Sequence, residues 1–369
     1  MKIYPLVQFK DLEKTKRVLL RLDFCCYSLP VAPHFEFIDG LLQAGKQVVV
    51  LAGGGEELIE KQLQRLKKYY HHDFLAFDCS QNPSFEKIVQ QILTEKTQKL
   101  FVIHGLDDYP PEKNFKDDFA KQLALLADVY VLDSLNSYGK LSSSLSIVPL
   151  YLPTFYGPST ANDWQNLQQL KKSLFSKRST FVLGGLFDFS KLETLKELLP
   201  KIDYLLMGTV WTSYFWEKKA AEFDFKEMSE FAKVLKRYAA KVIYPLDFLV
   251  ARHDGKSGRY DLRFAKANEI DKKDFLLDLG PETIRYYALL MKESDQIIYD
   301  DLLSPYTKDP GHADMILARA FANRSRGKAL GLATGRPLLD LLLKENLNEF
   351  IDVIVPDALG VYKFLKNKK

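Results

Sequence analysis

Short apolar runs that end abruptly at glycine, aspartate or serine recur along the chain and read as buried strands. They are Val48–Leu51, Leu100–Ile103, Val129–Leu132, Thr180–Leu183, Tyr204–Met207, Val242–Tyr244, Gln296–Tyr299, Ala329–Leu332 and Val353–Val355. Between them lie segments with apolar residues at helical spacing: Glu57–Tyr70, Ser84–Thr97, Lys116–Ala127, Lys191–Leu199, Phe225–Ala239, Pro281–Lys292 and Ala313–Ala322. Regular alternation of the two predicts an α/β protein whose parallel sheets are covered by helices on both faces. Ligands of such sheets sit at the carboxyl ends of strands, so function is sought in the residues just after each run.

The segment Tyr151–Asn162, with two prolines, breaks the alternation, and a helical stretch Trp164–Phe175 follows it. This places a domain boundary and predicts two doubly wound domains, 1–155 and 156–352, with a tail, 353–369, that packs back on the first. A chain of 369 residues exceeds what one hydrophobic core usually supports, in agreement with two domains. Lysine plus arginine exceed aspartate plus glutamate by only 52 to 48, too small a margin to argue for nucleic acid. No run of about 18 apolar residues suggests a membrane span, and the N-terminus lacks the apolar stretch of a secretory signal. Cys25, Cys26 and Cys79 make neither a disulfide framework nor a metal motif, which fits a reducing, cytoplasmic setting.

The stretch Asp118–Asp133, DFAKQLALLADVYVLD, resembles a helix and strand of phosphoglycerate kinases that read close to EFAKKLASLADVYVNDAF. Lys16–Phe24 (KRVLLRLDF) is similar to that family's KRVLVRVDFN, and Leu41–Leu51 to its LLEKGAKVVLM. Leu183-Gly184-Gly185, Tyr244-Pro245-Leu246-Asp247 and Leu277–Thr283 (LDLGPET) resemble its LGG, LPVD and LDIGPKT, all in the family's order. The resemblance implies two Rossmann-like domains joined by a helix and hinge, the first on the phosphoglycerate side and the second on the nucleotide side. It further implies a monomer and transfer of a phosphoryl group between 1,3-bisphosphoglycerate and ADP with magnesium.

Phosphoryl transfer asks a protein for cations and N–H donors aimed at the transferring oxygens, so the basic residues are the test. By resemblance, Arg21, Asp23, Lys140, Lys177 and Arg178 stand for the substrate side, and Gly184, Gly185, Lys191, Gly208, Gly335 and Arg336 for the nucleotide side. Much of the rest of the pattern is replaced. The family's DFN asparagine is Cys25, and its arginine at the start of the next helix falls near Pro30. SHLGRP becomes Ala52-Gly53-Gly54-Gly55-Glu56-Glu57, and in ENLRFYP the arginine gives way to an acid within His104–Pro110. AHRAHAS becomes Tyr138–Ser144, where Lys140 survives but both histidines are lost. GGAKVSDK becomes Gly184–Lys191, with Phe187 at the first lysine, and GGGM becomes Gly208-Thr209-Val210-Trp211. WNGPMGVFE becomes Tyr299–Thr307, and GGGDT becomes Ala333-Thr334-Gly335-Arg336-Pro337, where proline deletes an N–H donor.

An arginine that stabilises phosphoryl-transfer charge is worth about 10³–10⁵ in rate. Losing one together with a phosphate lysine removes roughly 8 kcal/mol of barrier lowering. The expectation is a phosphoglycerate-kinase-like protein without that activity, binding a small anionic ligand or a protein partner and holding no cofactor. The alternative is a weak or altered-specificity phosphotransferase that uses Mg-ATP or Mg-ADP through Arg21, Asp23, Lys140, Lys177, Lys191 and Arg336. Lys46 and Arg178 are the cations that length changes would most readily bring in as substitutes. Asp300-Asp301 reads as a solvated acid pair before it reads as a Mg²⁺ site, and His71-His72 as a polar turn. Trp211, Tyr214, Phe215 and Trp216 read as internal packing, with a partner-binding surface as the other possibility.

Overall fold

The computed structural model describes residues 4–23, 32–53, 63–64, 73–81, 84–134, 141–173, 176–215, 226–253, 259–271, 273–305, 310–355, 361–362 and 364–365. Their strands, in chain order, begin with β1 (Arg17–Asp23), β2 (Gln47–Gly53), β3 (Leu75–Asp78), β4 (Leu100–His104), β5 (Val129–Leu132) and β6 (Thr154–Tyr156). These form one parallel sheet in the order β3-β4-β2-β1-β5-β6. Side chains alternate between its two faces. Val18, Leu20, Leu22, Val48 and Val50 enter one core, and Leu19, Val49, Leu51, Phe101 and Ile103 enter the other. That double burial is why the runs are continuously apolar.

The second half holds β7 (Ser179–Leu183), β8 (Tyr204–Met207), β9 (Val242–Ile243), β10 (Asp247–His253), β11 (Tyr260–Lys266), β12 (Asp274–Leu279), β13 (Gln296–Asp300), β14 (Leu330–Thr334) and β15 (Val353–Val355). A second parallel sheet runs β15-β14-β13-β7-β8-β9, with β7 and β13 buried along their whole length. The chain thus has the α/β class and the two parallel sheets that the pattern predicts, each of them six-stranded.

A three-stranded antiparallel sheet, β11-β10-β12, adds to this picture. One of its faces is open to solvent, and β11 alternates Tyr260, Leu262 and Phe264 with polar residues in place of a continuous run. The chain divides into two compact units at Gln165/Asn166, inside the helix Pro158–Ser173. Tyr151–Asn162 is therefore less of a break than its composition suggests: it carries β6, an edge strand of the first sheet. At the other end β15 pairs with β14, the Tyr362 ring lies 6.0 Å from that of Phe181, and Lys171 Nζ sits 4.5 Å over Phe364, all within the second unit.

The motifs shared with the resembled family have local structural reasons. Asp247 accepts hydrogen bonds from the N–H groups of Glu282 and Thr283 and from the Thr283 hydroxyl, capping the helix Pro281–Glu293. A side chain at Gly280 would strike that carboxylate at 2.2 Å. The tetrapeptide ending in Asp247 and the LDLGPET stretch are two halves of one cap.

Candidate functional site

The carboxyl ends of β7, β8, β13 and β14 bring Gly184, Gly185, Gly208 and Gly335 onto one turn, Asp301–Leu303. A Cβ on Gly184 would meet the Leu302 carbonyl oxygen at 2.3 Å, one on Gly185 the Asp301 carboxylate at 2.8 Å, and one on Gly208 the Leu303 carbonyl oxygen at 2.9 Å. Gly335, at φ +95°, would meet Asp301 Cβ at 2.6 Å. Gly184 and Gly208 let the backbone of this turn approach closely, and Gly185 and Gly335 make room for Asp301.

Lys191, near the start of the helix Phe189–Leu198, extends Nζ to within 2.8 Å of Asp300 Oδ2 at the end of β13. Asp300 is fully buried, so the pair of adjacent acids is not the solvated one that composition suggests. Burial pushes the Asp300 carboxyl up, and Lys191 and the Tyr362 hydroxyl pull it back toward the charged form. Asp301 has a left-handed backbone (φ 64°), and its carboxylate accepts from the N–H of Leu302 at 2.8 Å. The backbone N–H of Leu338, third residue of the helix Arg336–Lys344, favours its charged form, so this carboxylate lies beside the N-terminus where Pro337 has removed a donor. Burial, and next to it the charge of Asp300, raise the Asp301 carboxyl to about 6. Arg336 is exposed at the first helical position.

Beside this turn lies an aromatic cluster. The Phe187 ring is 4.9 Å from Trp211, 4.7 Å from Tyr214, 5.1 Å from Phe189 and 5.9 Å from Phe215. Trp211 is fully buried and donates Nε1–H to the Gly184 carbonyl at 2.9 Å. Trp211 and Phe215 are thus internal packing, Tyr214 is partly exposed, and Trp216 lies outside the described residues.

In the first unit Arg21 is 3% exposed, with Nη2 3.7 Å from Asp107 Oδ1. Asp107 is the acid that stands where the resembled pattern has an arginine. Asp23 ends β1 opposite Gly53. Ser142 and Ser144, in the stretch that lost the histidines, donate their hydroxyls to buried Glu112 at 2.5 Å each. Pro30, Lys140, Cys25, Cys26, Gly54–Glu57, most of Glu57–Tyr70 and His71-His72 lie outside the described residues. The two substitute cations are engaged elsewhere. Lys46 donates to the carbonyls of Leu12, Glu13 and Thr15 at 2.7, 3.1 and 2.7 Å. Arg178 pairs with Glu293 at 2.9 Å, and it and exposed Lys177 precede β7, at the opposite end of that strand from Gly184.

A sequence model of the phosphoglycerate kinase family matches residues 9–303. The chain belongs to the phosphoglycerate kinase family. Among curated relatives, the phosphoglycerate kinase of Moorella thermoacetica is 26% identical over 344 residues, covering 85% of each chain. That of Hydrogenobaculum is 24% identical, covering 96% of this chain and 94% of the relative. Solved structures share the fold. The phosphoglycerate kinase of Coxiella burnetii superposes with a TM-score of 0.72 at 18% identity, over 98% of this chain and 96% of that one. The enzyme of Pyrococcus horikoshii gives 0.74 at 15% identity, over 96% and 94%.

Looking for the cations of a phosphoglycerate kinase passes over one polar cluster. At the carboxyl end of β5, fully buried Asp133 lies 2.9 Å from His34 Nδ1 and accepts the Thr160 N–H at 2.9 Å. Ser159 Oγ is 3.4 Å from the same imidazole nitrogen. Asp163, one turn into the helix Pro158–Ser173, is raised to about 7 by burial first and by Asp133 second, with His34 opposing. Asp133 carried a sequence signal, as a polar residue closing an apolar run. His34 and Asp163 carried none, because only the fold brings them to it.

Proposed function

We propose that this phosphoglycerate kinase family member lacks phosphoglycerate kinase activity and acts in the cytoplasm as a non-catalytic binding or regulatory protein. The observation that carries this reading is the pairing of Lys191 with buried Asp300, 2.8 Å apart, with the Asp301 carboxylate next to it. The family implies a magnesium nucleotide, and these residues do not fit one. A nucleotide phosphate at this turn would meet the Asp301 carboxylate and compete with Asp300 for Lys191. Two like charges about 5 Å apart repel by about 3 kcal/mol at the effective dielectric of such sites. Among the described residues no group of three or more histidine, cysteine, aspartate or glutamate side chains could hold a metal ion. Phe187, which stands at the first lysine of the family's GGAKVSDK, packs on Trp211 beside the same turn. On the substrate side Arg21 faces Asp107, so there too a family cation is met by an internal carboxylate.

Isothermal titration of the full chain with Mg-ADP and Mg-ATP tests the proposal, together with a coupled assay using 3-phosphoglycerate and ATP. No saturable heat at millimolar nucleotide and no turnover above background are expected. Micromolar nucleotide affinity or turnover at ordinary enzyme rates would sink it and establish the phosphotransferase alternative, with Lys191 and Arg336 as its phosphate ligands.

A further inference from the structure

The antiparallel sheet β11-β10-β12 leaves one face open. Tyr260, Leu262 and Phe264 of β11 are 60%, 62% and 62% exposed, and Phe275 of β12 is 59% exposed. Residue pairing sets them side by side. Phe264 lies opposite Leu249, Leu262 opposite Ala251, and Tyr260 opposite His253, while Ala251 is also opposite Phe275. Large apolar side chains contiguous across three strands mark an interaction surface, unlike single exposed ones. Among the described residues β11 is also an edge strand of its sheet, and its outer side presents backbone groups able to pair with another strand.

The order of residues on β11 is self-complementary. If two copies pair antiparallel with Leu262 opposite Leu262, Tyr260 of each falls opposite Phe264 of the other, and Asp261 opposite Arg263. Moving the axis by one residue to Arg263 sets arginine against arginine, and moving it to Asp261 sets aspartate against aspartate. Only the Leu262-centred register joins opposite charges twice while matching aromatic with aromatic. Arg263 already donates Nη2 across β10 to Asp274 of β12 at 2.7 Å, so pairing with Asp261 of a second copy would use the other donors of its guanidinium. Asp261 is exposed on the same side of the strand.

We propose that β11 is a dimer interface, at which a second copy of this chain pairs antiparallel about a two-fold axis through Leu262 to make one continuous six-stranded sheet. The arrangement is isologous and closed, so it stops at two chains. It departs from the monomer that family resemblance implies, and it does not depend on whether nucleotide binds.

Sedimentation velocity of the full chain over roughly a hundredfold concentration range tests it. The expected mass rises from one chain to two. Asp261→Lys and Arg263→Glu each set like charges opposite one another, and each alone is expected to remain a single chain. An equimolar mixture of these two variants restores attraction at both contacts and is expected to dimerise, which a folding defect could not produce. Under mild oxidation Leu262→Cys is expected to form an interchain disulfide absent from the unsubstituted chain. A single-chain mass at every concentration, including capture of some other protein's strand in place of a second copy, overturns the proposal. So does a dimer that neither charge variant weakens.

Discussion

Lys191 and Asp300 are 109 residues apart in sequence, and each changes meaning when the other is seen. A lysine behind a glycine pair suggests a phosphate ligand, yet in the fold its ammonium neutralises a fully buried carboxylate. Removing one partner of such a pair strands the other charge in the interior. Lys191→Met is therefore expected to lower stability by about 3 kcal/mol in urea unfolding, and the double change Lys191→Met with Asp300→Leu to recover most of the loss. A second residue-scale expectation concerns Asp163, whose carboxyl is raised from 3.8 to about 7. The folded state binds this proton more tightly than the unfolded chain. The associated stability is complete below about pH 4 and is lost as pH rises through 7. Asp163→Asn should accordingly gain about 1–2 kcal/mol at pH 8 relative to its effect at pH 4.5, read from unfolding midpoints at the two pH values. At this scale the identity of the surviving cations was legible in the chain. Their partners Asp107 and Asp300 were not, because tertiary packing alone joins them to Arg21 and Lys191.

Among elements, the helix Arg336–Lys344 shows how the glycines serve structure. Gly335 has φ +95° and would carry its Cβ into Asp301, at 2.6 Å from Cβ and 2.9 Å from Cα. Gly45 also has positive φ, at +77°, but has nothing within 4 Å of a Cβ. Alanine at position 45 should cost about 1 kcal/mol for the strained backbone alone. Gly335→Ala should cost at least about 2 kcal/mol, since Asp301 must move as well. Equal losses in guanidinium unfolding would show that the turn yields freely. Parallel strands were readable from continuous apolar runs, and all nine runs fall on strands of the two six-stranded sheets. In the antiparallel sheet β11 escaped because an exposed face replaces the run with alternation, as in Tyr260–Lys266, while β10 and β12 hold only the short stretches Phe248–Ala251 and Phe275–Leu277.

Across the whole molecule, several buried acids share one sign of pH dependence. Asp163 is raised to about 7, and Asp301 and Asp314 to about 6, in each case by burial first. Each folded carboxyl holds its proton over a range where the unfolded chain has released it, so all three contributions diminish as pH climbs from 5 to 8. The urea midpoint should fall over that interval, and a midpoint that rises would contradict the burial of these groups. With a net charge of only +4, global repulsion adds little to this trend.

The order of apolar runs and amphipathic segments was enough by itself to specify paired parallel sheets and the ends at which polar residues gather, because burial on both faces leaves a period that any reader of the chain can see. It also showed which family basic residues are gone. What the remaining cations do was decided by the tertiary structure alone. Charge pairing depends on a few ångströms between residues far apart along the chain, and no local period records which carboxylate will arrive there first.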